Sequence, residues 1–259
     1  CLMVLTLTGC GGSNGDDITT YTYSSELDIK NLDSSDADDG CSLKAIHAVI
    51  DGLTKTDKKG NIVNAVAKSE DGLTHTYKLR KDVKWTNGDP VTAHDFVYAW
   101  QRIFRKKGSY YYMFADGIAS IEGAQELSDK IDAGEELTDD DLNSMGVKAI
   151  DDYTLEVKTT VRVSFFDELM AFPCFFLINE KFCEKQGDKY GKSAKAILGN
   201  GAFIMTNWEP GSIAEFKKNE DYYEAKTVKI EKLVMKLVQN PKVAAQSFMA
   251  GETDYAPIN

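Results

Sequence analysis

Cations are in short supply: 30 Lys and Arg stand against 41 Asp and Glu, a net charge of −11 at pH 7. A protein that grips phosphates needs a basic surface, so this balance excludes nucleic acid as a partner. Histidine is scarcer still. His47, His75 and His94 are the only three, and no H-E-x-x-H spacing occurs. Each reads as a surface or helix-packing residue. No C-x-x-C pair is present, which argues against zinc and against a redox motif. The letters G-x-S-x-G occur at Gly11 to Gly15, but in a Gly/Ser/Asn/Asp tract that opens no helix, so no nucleophile elbow is indicated. Gly187 to Ser193 resembles a phosphate loop, but three residues separate its glycines where the motif needs four. These absences leave no catalytic residue, no metal site and no cofactor. The apolar opening, Cys1 to Leu7, is far shorter than the roughly 20 residues a membrane-spanning helix requires.

What the chain does have is ordinary globular material. With 259 residues, 42% hydrophobic and 27% charged, it can bury a sizeable core as one large or two modest domains. The densest signal is Asp71 to Phe104. Asp71-Gly72 turns into a Thr/Tyr-rich strand over Thr74 to Leu79, and Asn87-Gly88-Asp89-Pro90 makes the next turn. Thr92, with Asp95 three residues on, starts a helix in the manner of a capping box. Ala93, Phe96, Val97, Trp100, Ile103 and Phe104 follow the i, i+3, i+4, i+7 spacing of one buried face. Trp85, Trp100 and Trp208 are assigned to packing.

Elsewhere strands and helices mix without strict alternation, so the fold class is mixed α/β. Strands are expected over Ile18 to Tyr23, Ser212 to Lys217 and Lys232 to Val238. A hairpin is expected about Asp151-Asp152, and helices at Cys41 to Leu53, Gly123 to Ile131, Phe165 to Met170 and Asn179 to Gln186. Asn240 caps, and Pro241 opens, a last helix ending at Gly251. The acidic runs Glu26 to Gly40 and Asp132 to Asp141 read as loop, the second as a solvated surface.

The opening residues read as the tail of a secretory signal peptide. Leu7-Thr8-Gly9-Cys10 resembles the bacterial lipobox, whose Cys thiol receives diacylglycerol, and Gly11 to Asp17 would be a flexible tether. The alternative is a short apolar strand beside an ordinary buried Cys. Cys41, Cys174 and Cys183 remain, so at most one disulfide can form among them, with Cys174 and Cys183 nearest in sequence.

Asp71 to Phe104 also carries a resemblance to the bacterial oligopeptide-binding proteins that serve peptide-importing ABC transporters, the extracellular solute-binding proteins of family 5. Leu53 with Asp57 and Gly60 resembles that family's "GL-x-x-x-D-x-x-G" segment. Gly146 to Ala149 with Asp151 to Val157 is similar to its "GVKA-x-DD-x-TLEV" hairpin. Gly199 to Phe203 is similar to its "GNGPF" turn, and Gly251-Glu252-x-Asp254 to its "GE-x-D" helix end. The likeness runs from about residue 18 to the last residue. The chain departs from the pattern at Ala202, which replaces a Pro, and before Ala67, where a Pro is missing. The Glu26 to Asp33 segment is also longer than the family's.

The resemblance implies a periplasmic-binding-protein-like two-lobed clamp, of which this sequence holds the first lobe and an inserted subdomain. Residues 1–17 would be signal-peptide end, lipobox and tether; 18–40 plus 159–259 the first lobe; 41–158 the inserted subdomain. It implies a monomeric, non-enzymatic receptor on the outer face of the cytoplasmic membrane or in the periplasm, anchored through Cys10. Its partners would be oligopeptides and the permease subunits of an ABC importer. Ser24, Ser25 and Glu26 match positions that line the family's peptide site, though a plain exit from strand to loop also explains them. A family tyrosine that packs on the ligand falls at Tyr110 or Tyr111, with Tyr111 favoured, where a rim aromatic cluster is the alternative. Asn259, at the first hinge crossing, is a further candidate. Nickel, haem and other solute receptors share the architecture, as would a peptide-pheromone sensor or an adhesin. A secreted hydrolase lacks its motifs.

Overall fold

The computed structural model describes residues 19–57, 59–64 and 67–257. Among them are two four-stranded sheets and a short two-stranded one. The first sheet has the order β1 (Thr20–Ser25), β10 (Lys232–Leu237), β9 (Ile213–Lys218), β8 (Phe203–Glu209). β1 runs parallel to β10, and the other neighbours are antiparallel. The second sheet is antiparallel throughout, with the order β4 (Ala67–Asp71), β5 (Thr74–Lys78), β7 (Thr154–Lys158), β6 (Val147–Asp151). β2 (Thr54–Thr56) and β3 (Ile62–Asn64) pair with each other.

The capped helix expected after Pro90 is present as α2 (Ala93–Arg105). Both the backbone N–H of Thr92, at 2.7 Å, and its hydroxyl, at 3.2 Å, donate to Asp95 Oδ2. Its face of Phe96, Ala99, Trp100, Ile103 and Phe104 is buried, as the spacing requires. Trp100 stands edge-on to Phe114 and Phe175, and its indole N–H donates to the Phe175 carbonyl at 3.0 Å. One hydrophobic cluster runs from these rings to Met205, Phe216 and Met235 of the other sheet.

The remaining helices are α1 (Gly40–Val49), α3 (Ala124–Asp132), α4 (Asp139–Asn143), α5 (Phe166–Leu169), α6 (Glu180–Gln186) and α7 (Pro241–Met249). Three details differ from the sequence reading. α1 stops at Val49, because Ile50 is already extended. The acidic run is only partly loop: Thr138 accepts from the Asp141 N–H and its own N–H donates to the Asp141 carboxylate, so α4 begins inside it. His75 is 2% exposed on β5 and stacks on Phe166, making it a sheet-core residue. Cys41, Cys174 and Cys183 are all buried free thiols.

The motif over Gly199 to Phe203 has a structural task. Gly199 and Gly201 let the chain press against the end of α1. A Cβ on Gly199 would lie 2.1 Å from the Val49 carbonyl oxygen, and the Gly201 N–H donates to that oxygen at 2.9 Å. Between them the Asn200 side chain accepts from Asp51 N–H and donates to Asp51 C=O. The turn thereby locks α1 onto the sheet that contains β8.

Candidate functional site

Beyond β1, away from β10, the segment at Tyr255 adds a third parallel position to the sheet. The Ser24 N–H donates to the Tyr255 carbonyl at 2.9 Å, and the Asp254 N–H to the Thr22 carbonyl at 2.7 Å. The Asp254 carboxylate accepts from the Thr22 N–H at 2.7 Å, which fixes the register. α7 is the crossover between β10 and this segment. Parallel strands joined by helices present a crevice beyond their carboxyl ends, the common ligand position in open α/β sheets.

A cleft of about 230 Å³ opens there. Its lining comes from Tyr23 to Leu27 at the end of β1, from Gly40, Cys41 and Lys44 at the start of α1, and from Tyr255 and Pro257. The Asp39 side chain caps α1 by accepting from the Cys41 and Ser42 N–H groups, which holds that first turn against the cleft. Ser25 Oγ donates to the Leu27 carbonyl at 2.7 Å and lies 3.5 Å from Cys41 Sγ. Met235 Sδ sits 3.6 Å from that sulfur. Ser24 is 2% exposed and its hydroxyl has no hydrogen-bond partner, an open demand at the cleft wall.

The floor is uncharged. Burial pushes the Tyr23 hydroxyl up to about 12 and raises the Cys41 thiol, so both keep their protons at neutral pH. Neutral donors and acceptors suit amide groups, which carry no net charge. A larger groove of about 360 Å³ lies between α2 and α6. Its cations are already engaged: Arg102 and Lys106 with Asp33, and Arg105 with Asp139.

Of the residues singled out in the sequence, Ser24, Ser25 and Glu26 come together on the cleft wall. Tyr110 stands near it, its hydroxyl 3.4 Å from the Asp38 carbonyl just before α1, with its ring edge-on to Phe172. Tyr111 turns the other way, its hydroxyl bonded to Asp132 on α3 at 2.5 Å. Cys10 and Asn259 lie outside the described residues. Sequence reasoning missed Gly40, Cys41, Lys44, Tyr255 and Pro257. The Asp39-Gly40 helix start was a usable signal for the first three, whereas no local pattern marks Tyr255.

The profile of the bacterial extracellular solute-binding proteins, family 5 Middle, matches residues 59–259. The chain belongs to this family. It is 32% identical to the oligopeptide-binding protein OppA of Bacillus subtilis over 98% of its own length and 48% of the relative's. It is 31% identical to the dipeptide-binding protein of Lactococcus lactis, over 98% of this chain and 46% of that one. The fold overlays on the substrate-binding domain of an oligopeptide ABC transporter from Bacillus anthracis with a TM-score of 0.82 and 34% identity. That overlay covers 92% of this chain and 45% of the solved one. The peptide-bound OppA of Listeria monocytogenes gives 0.82 at 30% identity, over 92% and 46%. The chain thus spans about half the length of the relatives it matches.

Proposed function

We propose that the protein is the substrate-binding component of an ABC importer, capturing oligopeptides outside the cytoplasmic membrane and delivering them to a permease. The observation that carries this is the cleft at the carboxyl ends of β1 and the Tyr255 segment, set in a family-5 fold. A receptor for many peptides holds what all peptides share, the main-chain N–H and C=O groups. Hydrated side-chain pockets then accept varied residues, because bridging waters replace direct contacts at little cost. Ser24, Ser25 and Glu26 would meet the ligand from β1, with a tyrosine of the 110–111 pair above them. Capture would proceed by lobe closure, favoured by contacts made to both lobes at once.

In this reading 18–40 with 159–259 form the first lobe and 41–158 the inserted subdomain. Support comes from the sheets: every strand of the first sheet falls in the former and every strand of the second in the latter. Cys10 would carry the lipid anchor. A second reading is peptide sensing, favoured by likeness to the solved pheromone receptor PrgZ at 27% identity and a TM-score of 0.82.

Mass spectrometry of ligands released from the full-length protein tests the proposal. Mixed short peptides are expected. A lone metal chelate or sugar overturns the substrate class, while one peptide of fixed sequence favours sensing over import.

A further inference from the structure

We infer that the lysine strip from Lys181 to Lys195 is a docking surface for a bilayer of anionic phospholipid. The inference goes beyond the peptide-binding reading and does not rest on it.

The cations of this acidic chain are unevenly spread. Residues 181–242 hold 12 Lys against 8 acids, whereas elsewhere 33 acids face 18 Lys and Arg. Lys181, Lys185, Lys189, Lys192 and Lys195 fall within 15 residues, around the Gly187 to Ser193 turn. All five are exposed, and none of their side chains has a hydrogen bond or ion pair among the described residues. The intervening acids face elsewhere. Glu180, Glu184 and Asp188 line the groove toward α2, and Glu184 accepts from the Tyr98 hydroxyl at 2.6 Å. Successive helical residues are turned by about 100°, so Lys181 and Lys185 stand on a different face of α6 from Glu180 and Glu184.

The backbone beneath the strip is fastened from inside. Asn179 caps α6 by accepting from the Phe182 N–H at 2.8 Å, and Phe182 packs edge-on to Tyr190. The Arg102 guanidinium lies over the Tyr190 ring at 5.3 Å. The Gly191 carbonyl accepts from the Leu32 N–H at 2.8 Å, and a Cβ on Gly191 would lie 2.4 Å from the Asp33 nitrogen. The lysines are therefore presented together, with little chain left to order when they meet a surface. A headgroup layer suits them better than a compact ligand, because each long stem delivers one point charge to a separate phosphate. Charges are screened over about 8 Å at physiological salt, so acids on the other faces hardly feel the lipid. The strip then turns toward the bilayer and the negative remainder away from it.

Co-sedimentation of the full-length protein with lipid vesicles tests this, with Cys10→Ser throughout so that no acyl chain contributes. The vesicles are phosphatidylcholine alone, or phosphatidylcholine and phosphatidylglycerol in equal parts. Sedimentation is expected with the mixed vesicles only, and added salt should release the protein. A lysine beside an anionic bilayer strengthens binding roughly fivefold, so replacing all five strip lysines by Gln should weaken it by roughly a hundredfold or more. Replacing Lys59, Lys81, Lys84, Lys148 and Lys158 by Gln makes the same change in net charge and should cost less than about tenfold. The strip lysines are exposed and unpartnered, so their variant should melt with the parent. Equal losses in the two variants would trace the binding to net charge alone and overturn the inference. Equal sedimentation with both kinds of vesicle, or none with either, overturns it as well.

Discussion

Arg102 holds Asp33 through two parallel hydrogen bonds, Nη1 to Oδ1 at 2.7 Å and Nη2 to Oδ2 at 2.8 Å, though Asp33 is only 2% exposed. Asp33 lies in the connection between the end of β1 and the start of α1, the two walls of the cleft. Arg102 lies on α2, so the pair ties the cleft's connecting loop to the main core helix. Lys106 adds a longer contact of 3.6 Å to the same carboxylate. Removing one partner leaves a buried charge uncompensated. Arg102→Met is therefore expected to destabilise the protein by about 3 kcal/mol, with Lys106 softening a loss that can reach about 5. Asp33→Asn combined with Arg102→Met should cost less than Arg102→Met alone. Urea unfolding of the three variants checks this; equal losses for single and double variants would contradict it.

Gly199 has no positive φ to explain it, so its necessity comes from space. The site of its missing Cβ is 2.1 Å from a backbone oxygen, which cannot swing aside as a side chain would. Gly199→Ala should push the turn off α1 at a cost of roughly 1–3 kcal/mol, the usual range for overpacking. Gly211→Ala meets no atom within 4 Å but forces φ +82 on a residue with a Cβ, a smaller penalty of about 1 kcal/mol. Melting temperatures of the two variants should fall in that order. The reverse order would show that the α1 end can yield.

Local and distant constraints also divide what is legible in the sequence. α2 was legible because a capping residue and a 3.6-residue apolar period coincide at Thr92 to Phe104, each local. The exit of β1 was legible because small polar residues follow a Thr/Tyr-rich strand, and the cleft opens at that exit. β8 escaped notice: its burial does not alternate cleanly, and its pairing with β9 shifts register between Met205 and Asn207. α4 was hidden because its five residues, Asp139–Asn143, are too few to show an apolar helical period; Leu142 alone is buried. The far side of the cleft was illegible for a different reason. Tyr255 joins Tyr23 from the far end of the chain, a partnership no local window contains.

Asp95 predicts a pH dependence. Burial outweighs the hydrogen bonds from Thr92 and Trp85 and pushes its carboxyl up to about 6, from 3.8. The folded state thus binds this proton more tightly than the unfolded chain does. The contribution is complete below about pH 4, declines as pH rises through about 6, and is flat above that. A rise of that size corresponds to about 3 kcal/mol. Asp95→Asn keeps an acceptor for Trp85 and Thr92 but cannot ionise. The stability of the parent relative to Asp95→Asn should therefore fall between about pH 4 and about pH 6.5. Denaturant titrations at closely spaced pH values measure it, and a constant difference would rule out the raised carboxyl.

Tyr110 and Tyr111 separate by what each hydroxyl reaches. Tyr111 is tied to Asp132 at 2.5 Å and its ring leans on Phe104, so its work is to fasten the segment after α2 to α3. Tyr110 makes only a 3.4 Å contact to the Asp38 carbonyl and stands beside Tyr112 and Phe172, next to the turn that opens the cleft at Gly40. A flat ring with one hydroxyl suits both peptide bonds and apolar side chains. Tyr110→Ala in the full-length protein should weaken peptide binding by about 1–2 kcal/mol, roughly five- to thirtyfold, while hardly moving the melting temperature. Tyr111→Phe should do the opposite, lowering stability by about 0.5–1.5 kcal/mol and leaving affinity unchanged. Calorimetry and thermal melts on the same two variants decide it. If Tyr111→Phe alone reduces peptide affinity, the ligand contact belongs to Tyr111, and the Asp132 bond must break when the cleft closes.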